Sequence, residues 1–192
     1  MNFEYFQGPI SDMASLSKGD VACGICKQVG RCFELRSAII RSEEASEVSH
    51  GCMECLAKGK FEFWQDTEIG LLDETGLTKT HNRNQPPPEG FPDSALVALR
   101  RTPQIATWQQ ELWLTHCNNF MTYLGTWQPE DFYRHSPDGN GRELFLQMTD
   151  WRPELWDKSL PKGESILKHW GATYYAFKCG HCGKLRGNWD CD

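Results

Sequence analysis

The sequence predicts an α+β fold of small antiparallel sheets, metal-gripping knuckles and several short helices. Three observations carry that prediction. Six of the nine Cys fall in three Cys-x-x-Cys pairs, at Cys23/Cys26, Cys52/Cys55 and Cys179/Cys182. Short apolar runs are broken by Gly and Pro in the manner of brief strands and hairpins. A few stretches place apolar residues at helical spacing beside a start or stop signal.

A chain of 192 residues makes one ordinary domain or two small ones. Hydrophobic residues at 39% and eight Trp mark it as folded rather than disordered. No apolar run approaches the length of a membrane span, and Met1-Asn-Phe-Glu-Tyr-Phe-Gln-Gly lacks the basic-then-apolar layout of a secretory signal. A cytoplasmic protein with no membrane partner is therefore expected. In that reducing compartment paired Cys favour metal over disulfides.

Taken in order, residues 1–19 read as an extended lead-in with Phe3, Tyr5 and Phe6 able to pack and Gly8-Pro9 turning the chain. Cys23-Gly-Ile-Cys26 follows, then a strand-like Arg31–Arg36. His50-Gly-Cys52-Met-Glu-Cys55 enters a short helix that Gly59 ends. Two Cys pairs separated by 25 residues are a four-Cys zinc signature, with a strand pair inserted between the knuckles. Cys32 and His50 are spare, as packing or surface residues. Residues 61–75 alternate weakly, and a polar, Pro-rich run from Thr80 to Gly90, with an exposed His81, marks the boundary between a zinc-knuckle subdomain at 1–80 and an α+β subdomain at 81–192, within one compact unit.

Asp93 can cap a helix from Ser94 to Arg101, stopped by Pro103. The segment after Trp108 alternates as a strand that delivers His116 and Cys117 to its end, and Phe120 to Trp127 runs back as its partner. Helices are expected at Pro129–Arg134, with Pro in the first turn, at Gly141–Met148, and at Glu164–Trp170. The final run, Tyr174 to Trp189, reads as a hairpin whose turn carries Cys179-Gly-His-Cys182. Two Cys supply only two of four ligands for a closed zinc site. His116 and Cys117 are the best donors for the rest, with His181, His169 or Cys191 as replacements for His116. Adjacent strand residues point to opposite faces, so the fourth ligand is the weak point of this set.

The charge is informative by its placement. From Arg41 to Glu74 nine acids face three bases, which accounts for the whole net charge of -6. Thiolate ligands add to it, since they bind metal deprotonated. Such a surface repels phosphate backbones and attracts basic partners, although a solvated face serving only solubility would look the same.

Several segments together resemble the CbrC family of bacteria: Arg101-Thr-Pro-Gln-Ile-Ala-Thr-Trp-Gln-Gln-Glu-Leu-Trp-Leu-Thr-His-Cys117, Phe120 to Gly125, Phe177-Lys-Cys-Gly-His-Cys-Gly-Lys with Trp189-Asp190, the opening Phe3-Glu-Tyr-Phe-Gln-Gly-Pro-Ile, and the paired Cys of the first half. The resemblance spans essentially the whole chain. It implies a bacterial defence or immunity protein rather than an enzyme, since the family is named for tolerance to a DNase-type colicin. It also implies that position 116 is a ligand, because relatives often carry Cys there, and imidazole substitutes for thiolate at zinc.

The catalytic patterns are missing. There is no His-Glu-x-x-His, no deaminase His-x-Glu, no Gly-x-Ser-x-Gly, Walker loop or dinucleotide fingerprint. The expectation is a non-enzyme in which Cys23, Cys26, Cys52, Cys55 and His116, Cys117, Cys179, Cys182 hold one or two structural zinc ions. The protein would neutralise a toxin, most plausibly a basic nuclease, through an acidic surface including Glu62, Asp66, Glu68, Asp73 and Glu74. A zinc-ribbon nucleic-acid-binding or regulatory protein and a zinc-dependent hydrolase are the alternatives.

Overall fold

The computed structural model describes residues 2–36, 38–40, 48–78, 90–109, 111–149, 153, 156 and 173–190. The fold is mixed α+β, with several small antiparallel sheets and, among the elements fully described, four α-helices. In the first half, β1 (Val21–Ala22) and β2 (Val29–Gly30) form a ribbon that encloses the first Cys pair. β3 (Cys32–Glu34), β4 (Ala38–Ile40), β5 (His50–Cys52), α1 (Met53–Ala57) and β6 (Phe61–Phe63) follow, with β3 pairing β5 and β4 pairing β6. α1 ends where the left-handed Gly59, φ +67°, lets Lys60 N–H reach the Cys55 carbonyl at 2.9 Å. β7 (Gln65–Thr67), β8 (Gly70–Asp73) and β9 (Gly76–Thr78) make a three-stranded meander.

The second half starts with α2 (Asp93–Arg100). Pro92, not Asp93, occupies its cap position, so Asp93 lies inside the first turn, where an acid favours the helix through its dipole rather than through a cap bond. β10 (Thr115–His116) and β11 (Asn119–Phe120) form a two-by-two hairpin. The expected return strand is thus corrected. Asn119 and Phe120 pair back, with Met121 N–H reaching the Leu114 carbonyl at 2.9 Å, while β12 (Thr122–Thr126) becomes an outer strand on the final hairpin. α3 (Pro129–His135) and α4 (Gly141–Met148) follow, and β13 (Thr173–Lys178) and β14 (Leu185–Asp190) complete a sheet ordered β12-β13-β14. The Pro-rich run with His81 and the helix expected at Glu164–Trp170 lie outside the described residues.

β13 explains why its sequence runs apolar without alternating. Tyr174, Tyr175, Ala176 and Phe177 are all buried, because the strand has a core on each face. Phe177 joins Tyr123, Trp113 and the cluster of Phe33, Phe61 and Phe63 from the first half. Tyr174 and Ala176 face the other way, toward Trp127, Phe132 and Phe145 beneath α3 and α4. The lead-in crosses to the second half. Phe6 packs on Tyr123 at 5.1 Å between ring centres, and Gln7 N–H bonds the Tyr123 carbonyl at 2.8 Å.

Two polar residues, the buried Gln65 and the half-buried Glu111, tie together the segments around Trp113. Gln65 accepts from the Trp113 indole N–H at 2.9 Å and donates to the carbonyls of Leu99 and Thr102 at 3.2 and 2.8 Å, so every polar atom of its amide head is engaged. Glu111 accepts from Ile105 N–H at 2.8 Å and from the same indole at 3.0 Å.

Burial pushes the Glu111 carboxyl up to about 8, with nearby Asp66 adding to the rise against the bonds from Ile105 and Trp113. The folded chain therefore holds this proton more tightly than the unfolded chain does. The group weakens stability as pH climbs from the ordinary value of 4.5 to about 8, and changes nothing beyond. Glu111→Gln should raise the thermal midpoint near pH 8 by a few degrees and leave it unchanged near pH 4, as melting curves at the two pH values will test.

Candidate metal centres

The first centre is built by local turns. The β1–β2 ribbon turns so that Cys26 N–H points at Cys23 Sγ, 3.5 Å away, and β5 brings Cys52 N–H to the same sulfur at 3.3 Å. α1 then carries Cys55 inward. Cys23 and Cys55 are buried, Cys52 is half-buried and Cys26 exposed. The sulfurs of Cys23 and Cys55 lie 3.8 Å apart and those of Cys26 and Cys52 3.6 Å apart. Four sulfurs at about 2.3 Å from a central ion have tetrahedral edges of about 3.8 Å, so the spacing fits a metal.

Burial raises the Cys23 thiol, but the amides of Cys26, Cys52 and Ile25 outweigh it and bring the group down to about 6. One thiolate is thus ready at neutral pH. Burial, and then the side chains of Cys52, Cys26 and Cys23, push Cys55 well above the usual thiol range. Spare Cys32 is fully buried beside this set, its sulfur near the carbonyls of Val21 and Gly30, and burial followed by the charges of Cys23, Cys52 and Cys26 pushes it up to about 11. His50 is half-buried and its Nδ1 pairs with Ser49 Oγ at 2.9 Å.

The second centre joins segments more than sixty positions apart. Cys117 and Asn118 have φ of +52° and +53°, the left-handed pair of a tight hairpin turn between the paired His116 and Asn119. This removes the difficulty of neighbouring ligands. Cys117 is a turn residue, so the alternation that would aim it away from His116 does not apply. His116 Nδ1 lies 3.2 Å from Cys117 Sγ and 3.4 Å from Cys182 Sγ. Cys179 and Cys182 come from the β13–β14 turn, which Gly183, φ +75°, closes by donating its N–H to the Cys179 carbonyl at 2.9 Å. Burial raises the Cys179 thiol, yet the Cys182 amide, the His116 side chain and the His181 amide bring it down to about 6.

The ligand atoms of Cys23, Cys26, Cys52 and Cys55 all lie within 4.8 Å of one another, and so do those of His116, Cys117, Cys179 and Cys182. Both sets can hold a metal ion. All eight described Cys are free thiols. His181 is exposed in the turn and outside the second set, while His169 and Cys191 lie outside the described residues.

A clamp that no sequence signal announced holds the second set in place. Glu68 accepts from Thr115 N–H and Oγ1 at 2.9 and 3.0 Å, and from Arg186 at 2.7 and 2.9 Å, while Arg186 also donates to the Thr115 carbonyl at 2.8 Å. Burial alone would raise the Glu68 carboxyl, but Arg186 and Thr115 hold it below its ordinary range. Glu68 thus fastens the His116 hairpin to β14.

The acids expected on one surface divide. Glu62 is a correction, since it is 2% exposed and pairs with Arg100 at 3.1 Å and Arg101 at 3.3 Å from the carboxyl end of α2. A carboxylate so enclosed is not presented at the surface. Asp66 and Asp73 are half-buried on β7 and β8, and Glu74 is exposed in the β8–β9 turn. Glu43, Glu44 and Glu47 lie outside the described residues.

Fold and donor sets together define an α+β protein with two Cys-rich clusters that could hold metal ions. The chain belongs to the Uncharacterised protein family (UPF0167), whose model matches residues 1–191. No solved structure matches it. No helix among the described residues is long and apolar enough to cross a membrane.

Metal analysis of the purified chain should give two ions per molecule, falling to one in Cys179→Ser and in Cys55→Ser. Structural zinc in small domains contributes about 10–16 kcal/mol, comparable with a whole domain's stability, so either variant should melt roughly ten degrees or more lower, or lose its cooperative transition. Chelator should strip the second site first, because Cys117 and Cys182 are exposed while the first set has two buried sulfurs. Melting curves that ignore both chelator and substitution would exclude a structural metal.

Proposed function

We propose that the ions are zinc in a purely structural role, and that the chain is a CbrC-like bacterial immunity protein that binds and neutralises a basic nuclease toxin in the cytoplasm. The thiolate-rich donor sets and their tetrahedral spacing support zinc. Each set offers four protein ligands, the composition of a closed structural site rather than of a catalytic one with an open position.

The observation that carries the reading is the outward face of the β7–β8–β9 meander. Asp66 pairs across to Leu71, and Asp73 lies two residues further along the same strand, so the two acids share one side, with Glu74 at its rim. Arg100 is drawn inward by Glu62, while Arg101 pairs with it and keeps 40% of its side chain exposed. The charge carried by the meander itself is negative, suited to the positive groove with which a nuclease holds DNA and repellent to nucleic acid itself. Complementary charge would speed encounter and occlude the DNA-binding surface.

The test is survival of bacteria expressing a colicin-type DNase domain with and without this chain, together with co-purification of the two proteins. Survival with a stable complex is expected, and Asp73→Lys combined with Glu74→Lys should abolish both while leaving the metal content intact. Killing unaffected by the wild-type chain, with no complex formed, would move the weight to a nucleic-acid-binding or hydrolytic role.

A further inference from the structure

Trp64 is an anomaly of this fold. It sits between β6 and β7 with 45% of its surface exposed, in a stretch whose neighbours Phe63 and Gln65 are buried. A large aromatic left in water carries a cost in contacts forgone, and here the surroundings hold it still. Gln65 beside it is locked by Trp113, Leu99 and Thr102. The Trp64 carbonyl accepts from Gln104 Nε2 at 2.7 Å, and its indole N–H donates to Glu74 Oε2 at 2.9 Å.

The rim is equally ordered. Asp73 Oδ1 accepts from Thr75 N–H at 2.8 Å and Thr75 Oγ1 at 2.6 Å, which fixes the turn that presents Glu74. Glu74 is exposed, and its bond to the indole uses one of two carboxylate oxygens. The result is a rigid π-face with its ring edge tied to a carboxylate and more negative charge close by.

We propose that Trp64 is the anchor of a protein-docking surface, its indole stacking an arginine of a basic partner whose charge is met by Glu74 and Asp73. A guanidinium is the cation this geometry suits. It is planar, weakly hydrated and able to lie on an indole while its N–H groups reach sideways to carboxylates. Aromatic anchors held in one rotamer lose little entropy on binding, which is why they dominate interface energetics. The proposal deepens the toxin-binding reading and rests on it.

The probe is a purified, catalytically inactivated colicin-type DNase domain, titrated calorimetrically against the wild-type chain, Trp64→Ala, Trp64→Phe and Glu74→Gln, at low and high salt. Metal content and melting temperature of each variant report on its fold. Trp64→Ala should weaken binding roughly tenfold or more and Trp64→Phe less. Glu74→Gln, which keeps an oxygen for the indole, should weaken binding and flatten its salt dependence. Wild-type affinity in folded Trp64→Ala, or in Trp64→Phe and Glu74→Gln together if Trp64→Ala fails to fold, would overturn this surface and leave the immunity reading standing. A wild-type chain that does not bind the domain at all removes both.

Discussion

Four thiolates cannot share a space a few ångströms across unless a cation lies between them. The first set puts two sulfur pairs at 3.6–3.8 Å, and burial followed by the side chains of Cys52, Cys26 and Cys23 pushes the ionisation of Cys55 upward. On the structural-zinc reading proposed above, the rest of the fold depends on a cation making that arrangement stable. β1, β2, β10 and β11 are two residues long, too short to persist on their own hydrogen bonds. Bringing residues 117 and 179 together costs about 4 kcal/mol of chain entropy before any constant term. The zinc proposed here, at about 10–16 kcal/mol, exceeds that cost comfortably.

Around those two points the apolar residues divide into cores that share a sheet. The larger runs from Phe3 to Cys179 and takes side chains from both halves of the chain, while the smaller lies beneath α3 and α4. Tyr174 and Tyr175, adjacent in sequence, belong to different cores. A change at β13 is therefore felt on both sides, and the first residue past the strand, Cys179, belongs to the second candidate donor set.

What was legible in the sequence was what is local. Cys-x-x-Cys spacing is set by one turn, Pro129 starts a helix wherever it falls, and Gly59 ends one by backbone conformation alone. The partnerships were not legible. Phe120 to Trp127 has the composition of a strand, but nothing within it says that β13, some fifty residues later, outcompetes β10 for it. Glu62 lies between two Phe, where alternation turns it to solvent, yet Arg100 and Arg101 arrive from α2 to enclose it. The left-handed Cys117 that makes His116 and Cys117 joint donors is a property of the turn, which residue type does not announce.

The amino-terminal segment has a consequence for how the chain is made. Tyr5 and Phe6 leave the ribosome well before the residues they meet, since the backbone they bond and the rings they pack against belong to Phe120 and Tyr123. At about 5–20 residues per second, they wait roughly 6–23 s for that strand to be translated. The first Cys set, complete by residue 55, has all its donors in hand by then, whereas the second awaits Cys182. Metal capture during synthesis would thus be sequential, and until Phe120 and Tyr123 emerge the Tyr5 and Phe6 side chains stand uncovered and open to chaperones.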